Sequence, residues 1–187
     1  MKDEIKALID KIKSLEAELE ADFEAYRREF HYTVREKRVE FEAAVRQHHR
    51  KLRVGIFLYI TKSKLVSILL APVFYALIVP LLLLDVAVTL FQAIIFPIYG
   101  LKKVPRDDFI VVDRHHLSYL NGIEKLNCAF CGYGNGLLAY AREIAGRTEA
   151  YWCPIKHARK VRGQHRRYLE FSEYGDAEGY RKDNPEA

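Results

Sequence analysis

The sequence predicts a mainly α-helical protein built in series: a long N-terminal helix or coiled coil, a membrane hairpin, and a small metal-stabilised, α-rich C-terminal domain. Three observations carry that reading. Apolar residues recur at helical spacing along the first part of the chain, a 36-residue apolar run (65–100) contains one charge, and three cysteines and a histidine follow at metal-ligand spacing. Over the whole 187 residues the composition is ordinary, 50% hydrophobic and 29% charged, but the two kinds of residue are segregated. Residues 1–31 carry 6 basic and 9 acidic groups and residues 32–64 carry 9 basic and 3 acidic ones, so the net charge of +5 is a local collar ahead of the apolar run. The segments are an amphipathic helix (1–53), a basic interfacial stretch (54–64), the membrane hairpin (65–100), a cytoplasmic Cys/His domain (101–170) and an acidic tail (171–187).

In the first segment Ile5, Leu8, Ile12, Leu15 and Leu19 form a narrow 3,4-spaced seam that suits self-association. The pattern continues less regularly through Phe23, Tyr26, Phe30, Val34, Phe41, Val45 and Leu52. With no Pro or Gly before Gly55, one helix or two broken helices of about fifty residues, roughly 75 Å, are expected. The opening "MKDEIKALID" has no apolar core of a secretory signal, which places this segment in the cytoplasm. Next, "RVGIFLYITKSK" is too short to span a bilayer and is expected at its surface, with Arg50, Lys51, Arg53, Lys62 and Lys64 facing anionic lipids.

The apolar run would reach about 54 Å as one straight helix, against a hydrocarbon core of about 30 Å. A break between Pro80 and Asp85 resolves the mismatch as a re-entrant hairpin or two short helices, with one span plus an interfacial helix as the alternative. Basic residues on both sides, including Lys102, Lys103 and Arg106, draw both termini to the cytoplasm. Asp85, Thr89 and Gln92 lie at i, i+4 and i+7, one polar stripe on a helix, and a carboxylate in such a run is a functional-site hypothesis. With no cation inside the run, Asp85 reads as a hairpin-tip residue or one bonded to a backbone group freed by Pro80.

Beyond the run, "FIVVD" (109–113) reads as a strand, with Asp113 capping a helix "RHHLSYLNGIEKL". The stretch "GYGNG" reads as a loop, "LLAYAREIAGR" as a helix ending at Gly146, and "CPIKHARKVRGQHRRYL" as a helix opened by Cys153 and Pro154. Cys128, Cys131, Cys153 and His157 form C-x2-C-x21-C-x3-H. That set suits a closed structural zinc site, with iron the second choice, because a tight turn would join the first pair and one helix face the second. His116 is the alternative ligand to His157, and with His115 nearby it leaves room for an open, catalytic site, for which Asp113, Glu124 and Glu143 are acid/base candidates. His31, His48, His49 and His165 read as surface residues. The six Lys and Arg residues between 156 and 167 could meet nucleic acid, but an adjacent membrane makes lipid phosphate the more economical partner.

The words "DRHHLSYLNGIEKLNCAFCGYGNG" and "REIAGRTEAYWCPIKHARK" resemble those of small bacterial membrane proteins carrying a C-x-x-C-G-Y-x-N-G / Y-W-C-P-I-K-H module. The resemblance covers about residues 54–160 and implies a bacterial inner-membrane location and no activity. The functional expectation is a membrane-associated scaffold or adaptor, non-enzymatic and homo-oligomeric, with no catalytic residue assigned. The alternative is a metal-dependent membrane enzyme or redox protein acting on a lipid-like substrate.

Overall fold

The computed structural model describes residues 2–30, 32–35 and 38–183 and is mainly helical; His31 lies outside them. Met1–Thr61 with Asp113–Lys125 form one compact unit, and Lys62–Val112 with Leu126–Ala187 form another.

In the first unit α1 (Lys2–Glu29) follows the predicted seam. The helix does not continue toward residue 53, because β1 (Tyr32–Arg35) and β2 (Arg38–Phe41) pair antiparallel, Tyr32 opposite Phe41 and Val34 opposite Val39. Alternation of Tyr32 with Val34 and of Val39 with Phe41, plus the β-branched residues, favours a strand period over a helical one. An aromatic chain then ties the unit together. Tyr32 meets Phe41 at 5.5 Å between ring centres, Phe41 meets His49 of α2 (Ala43–Lys51) at 5.5 Å, and His49 meets Tyr119 at 5.2 Å. After α3 (Ile56–Lys62), the remaining part of the unit holds a single 3-10 turn at Arg114–His116 where the sequence predicts a helix. The helix starts later, at Gly122, because Asn121 caps it. Its Oδ1 accepts from the amides of Ile123 (3.0 Å) and Glu124 (3.1 Å), while Glu124 Oε2 accepts from the amide of Asn121 (2.9 Å). This reciprocal capping box fixes the start of α6 (Gly122–Trp152).

In the second unit, α4 (Leu65–Ala76) and α5 (Ile78–Ile98) are separated only by Leu77, itself right-handed at φ −60° and ψ −17°. Pro80 explains that position: it has no amide for the carbonyl of Ala76 and its ring crowds it. The outcome is a one-residue interruption, and α5 passes through Pro80 and Asp85 without the reversal expected there. The chain turns instead at Gly100, whose φ of +67° suits a glycine.

From there 101–112 runs back beside α5 as a strap, irregular except for a 3-10 turn at Arg106–Asp108 and with no strand at "FIVVD". α6 next runs in the same direction as α5: Tyr133 reaches Asp85, Tyr140 reaches Gln92, and Trp152 packs on Tyr99 at 4.8 Å. Buried Leu81, Phe96, Val104, Leu137, Tyr140 and Ile144 form the core between these three segments.

The expected loop "GYGNG" is helical and lies within α6. Its glycines serve the strap. A Cβ on Gly136 would stand 2.5 Å from the Phe109 carbonyl oxygen and 2.9 Å from Ile110 Cα, and one on Gly132 would stand 3.4 Å from the Val111 oxygen. Residues four apart share a helix face, so this pair forms a shallow track for backbone.

α6 also continues through Gly146 to Trp152, and no helix begins at Cys153. A residue before proline is pushed out of the helical region, so Pro154 stops α6 there rather than starting a new helix. The tail folds back: the Lys156 amide donates to Ser172 O (2.8 Å) and the Ser172 amide to Pro154 O (2.9 Å), with Lys156 Nζ on Glu173 Oε1 at 2.6 Å. α7 (Ala177–Asp183) closes the described chain.

Candidate functional site

The polar stripe of α5 faces the strap. Asp85 accepts from Arg106 Nη2 at 2.5 Å, from the Tyr133 hydroxyl at 2.9 Å and from Thr89 Oγ1 at 3.3 Å. Two turns beyond Asp85, Gln92 pairs with the backbone of Val104. Its Oε1 accepts from the Val104 amide at 2.8 Å, and its Nε2 donates to the Val104 carbonyl at 3.3 Å and to the Tyr140 hydroxyl. Gln92 is 6% exposed and Val104 3%, so these bonds satisfy strap groups that would otherwise be buried without partners. Asp85 therefore has the cationic partner that the apolar run lacks. It comes from outside the run, 21 positions on. The stripe was legible from spacing alone; Arg106, Tyr133 and Tyr140 were not, since no local pattern links them to α5.

The Cys/His set is arranged differently. Cys128 and Cys131 share a face near the start of α6, and Cys153 follows its last residue. The 25 positions between Cys128 and Cys153 correspond to about 37 Å along a helix, so one ion cannot be bound by both ends. His157 is not on a helix with Cys153; its amide donates to the Tyr168 hydroxyl at 2.5 Å. His116 packs against His115 in the Arg114–His116 turn, the rings tilted by 41° with centres 3.9 Å apart. All three cysteines are free thiols, and among the described residues no three His, Cys, Asp or Glu side chains converge to hold a metal. The ligand set inferred from spacing required a loop and a helix start, and the chain has helix interior and helix end in those places.

A third cluster lies toward the end of α6. Glu143 Oε1 accepts from Arg147 Nε at 2.8 Å and from Arg167 Nη2 at 3.2 Å. Arg147 Nη1 also donates to the carbonyls of Lys102 (2.5 Å) and Lys103 (3.2 Å), fastening the first residues of the strap. Burial alone would raise the Glu143 pKa, but the two guanidinium hydrogen bonds outweigh it and hold the carboxyl below its ordinary range. Glu149 pairs with His165 Nε2 at 2.7 Å, and the His165 ring covers Gly146.

Taken together, the geometry defines a class: a helical protein with, among the described residues, one helix, Leu65–Ile98, long and apolar enough to cross a membrane, and a polar clasp holding a strap against it. Compared with known protein families, curated proteins and solved structures, the chain matches none.

Proposed function

We propose that this chain is a membrane-associated scaffold that self-associates through α1, with both termini on the cytoplasmic face of a bacterial inner membrane. The observation that carries the membrane part is the exposure of the apolar helix: no residue of α4 is buried, and Leu65, Leu69, Val73 and Leu83 are 69%, 67%, 70% and 67% exposed. In water such a surface would be strongly unfavourable, at about 25 cal/mol for each Å² of apolar area. Self-association is supported by the apolar stripe of α1, where Leu8, Ile12, Leu15, Leu19, Phe23 and Tyr26 are 49–62% exposed. A second copy is the fitting occupant, since this narrow seam has the spacing by which like helices pack on one another. The reading needs no metal.

Two measurements test it. Full-length protein should float with phosphatidylcholine vesicles and resist alkaline carbonate extraction; recovery in the soluble fraction would refute the membrane part. In detergent it should sediment as an oligomer that Leu15→Lys with Leu19→Lys converts to monomer, and an unchanged oligomer would refute the role of α1.

A further inference from the structure

The geometry points to a binding site for the phosphate headgroup of an anionic phospholipid, at the end of α5 between the start of the strap and the last turns of α6. A cavity of about 420 Å³ is lined there by Leu101, Lys102, Arg147, Ala150, Tyr151 and Arg167. Three of these six residues are cations and none is an acid. Glu143 bonds both guanidiniums, so Lys102, Arg147 and Arg167 against Glu143 leave two positive charges. Lys102 is exposed, and among the described residues its ammonium has no ion-pair partner, leaving it free for an incoming oxyanion.

Depth singles out a lipid as the source of the phosphate, an argument that rests on the proposed membrane association of α4 and α5. α5 ends at Ile98, four residues before Lys102, and four residues reach at most about 14 Å even when fully extended. Ionic headgroups lie in a polar layer just outside the hydrocarbon, several ångströms thick on each side. The aromatic residues mark the same level. Tyr99, Tyr151 and Trp152 pack mutually with ring centres 4.8–5.5 Å apart and remain 42–47% exposed, as Tyr and Trp do where apolar and polar layers meet. A choline headgroup would bring its own cation against Lys102, whereas glycerol would not, so the cavity should favour phosphatidylglycerol over phosphatidylcholine.

The test uses full-length protein in detergent, with retention of phosphatidylglycerol and phosphatidylcholine from an equimolar mixture read by native mass spectrometry. Wild type should retain phosphatidylglycerol preferentially. Lys102→Glu should reduce that preference about tenfold, and Lys102→Gln should reduce it less. Lys160→Glu, the same charge change in the exposed basic loop, should leave it within about twofold. Unfolding midpoints like that of wild type would show that the variants remain folded. Equal retention of the two lipids by wild type, or equal losses in Lys102→Glu and Lys160→Glu, would overturn the site. Displacement of the lipid by millimolar inorganic phosphate would reassign it to a free anion. Flotation with phosphatidylcholine vesicles separates this proposal from the one beneath it: protein that floats but shows no lipid preference lacks the site, and protein that never floats lacks the membrane association.

Discussion

Gly136→Ala should destabilise the protein although it replaces the poorest ordinary helix former with the best. The new methyl would lie 2.5 Å from the Phe109 carbonyl oxygen. Restoring an ordinary contact near 3.4 Å requires the strap to move out by about 0.9 Å. The strap is not free to move, because Val104 is bonded to Gln92 on one side of the contact and Val111 lies on Gly132 on the other. Overpacking against a fixed neighbour costs about 1–3 kcal/mol, while the helix gains about 1 kcal/mol from the alanine. The net loss should be up to about 2 kcal/mol, a fall in Tm of up to roughly 8 °C for a chain of this size. Gly134→Ala is the control. Its methyl would meet only the end of the Leu81 side chain, at 3.3 Å, which can rotate, so that variant should match wild type or gain up to about 1 kcal/mol. Thermal unfolding followed by circular dichroism in one detergent compares the three proteins. A Gly136→Ala variant as stable as Gly134→Ala would refute the idea that α6 carries glycines to accommodate backbone.

Gln92→Leu keeps most of the side-chain volume but leaves the buried amide and carbonyl of Val104 without partners; at about 1–3 kcal/mol each the loss should reach about 2–6 kcal/mol, with faster hydrogen exchange at Val104. Stability within 0.5 kcal/mol of wild type, as ~0.5 is the usual surface range, would remove Gln92 from the clasp. A double-mutant cycle with Asp85→Asn and Arg106→Gln should give a coupling of about 1–2 kcal/mol, less than a fully buried pair because the Arg106 side chain is 43% exposed; additive effects would show that the pair does not hold the strap. Glu143 has a folded-state pKa below its unfolded value, so its contribution is present above the ordinary carboxylate range and is lost as pH falls through the lowered value. Unfolding midpoints of wild type and Glu143→Gln should therefore converge below about pH 4, and a constant gap between them down to pH 3 would contradict the pairing.

Periodicity made the helices legible where the period was sustained, as in α1 and across Leu65–Ile98. It also located the Asp85, Thr89 and Gln92 stripe, because i, i+4 and i+7 fall on one face whatever the helix packs against. The failures share a cause. "GYGNG" was given the meaning glycines have in isolated chain, freedom to turn, when these serve a helix that must approach backbone from another segment. "CP" was read as a helix start, which proline permits, when α6 was already running and the residue before a proline had to leave it. The metal set depended on both readings, and its cysteines lie near the start of α6 and just past its end. Residues 32–41 hold so few positions that helical and strand periods both pass through their apolar residues. A cross-strand partner decides such a case, and that lies outside the window of a local pattern. The N-G-I-E box at 121–124 was present in the sequence as a start signal for α6, and Asp113, read as a cap, drew the predicted start several residues too early.

The strap also bears on how the apolar helix meets a bilayer under the proposed reading. A helix of 34 residues is about 51 Å long, and a bilayer core is about 30 Å thick. A straight crossing centred on the run would leave Asp85 deep in hydrocarbon. Arg106 could accompany it as a counter-ion, but the same 3-10 turn carries exposed Asp107 and Asp108, each costing about 2.5–3.5 kcal/mol at mid-membrane. Placing α4 and the outer face of α5 in the lipid, with the strap face turned out of it, avoids that cost and accommodates the length by running partly along the surface. Both basic flanks then remain on one side of the membrane without the hairpin the sequence called for. The bonds from Asp85 to Arg106 and from Gln92 to Val104 thereby acquire a purpose: they keep a polar segment fastened to a helix whose other faces have no affinity for water.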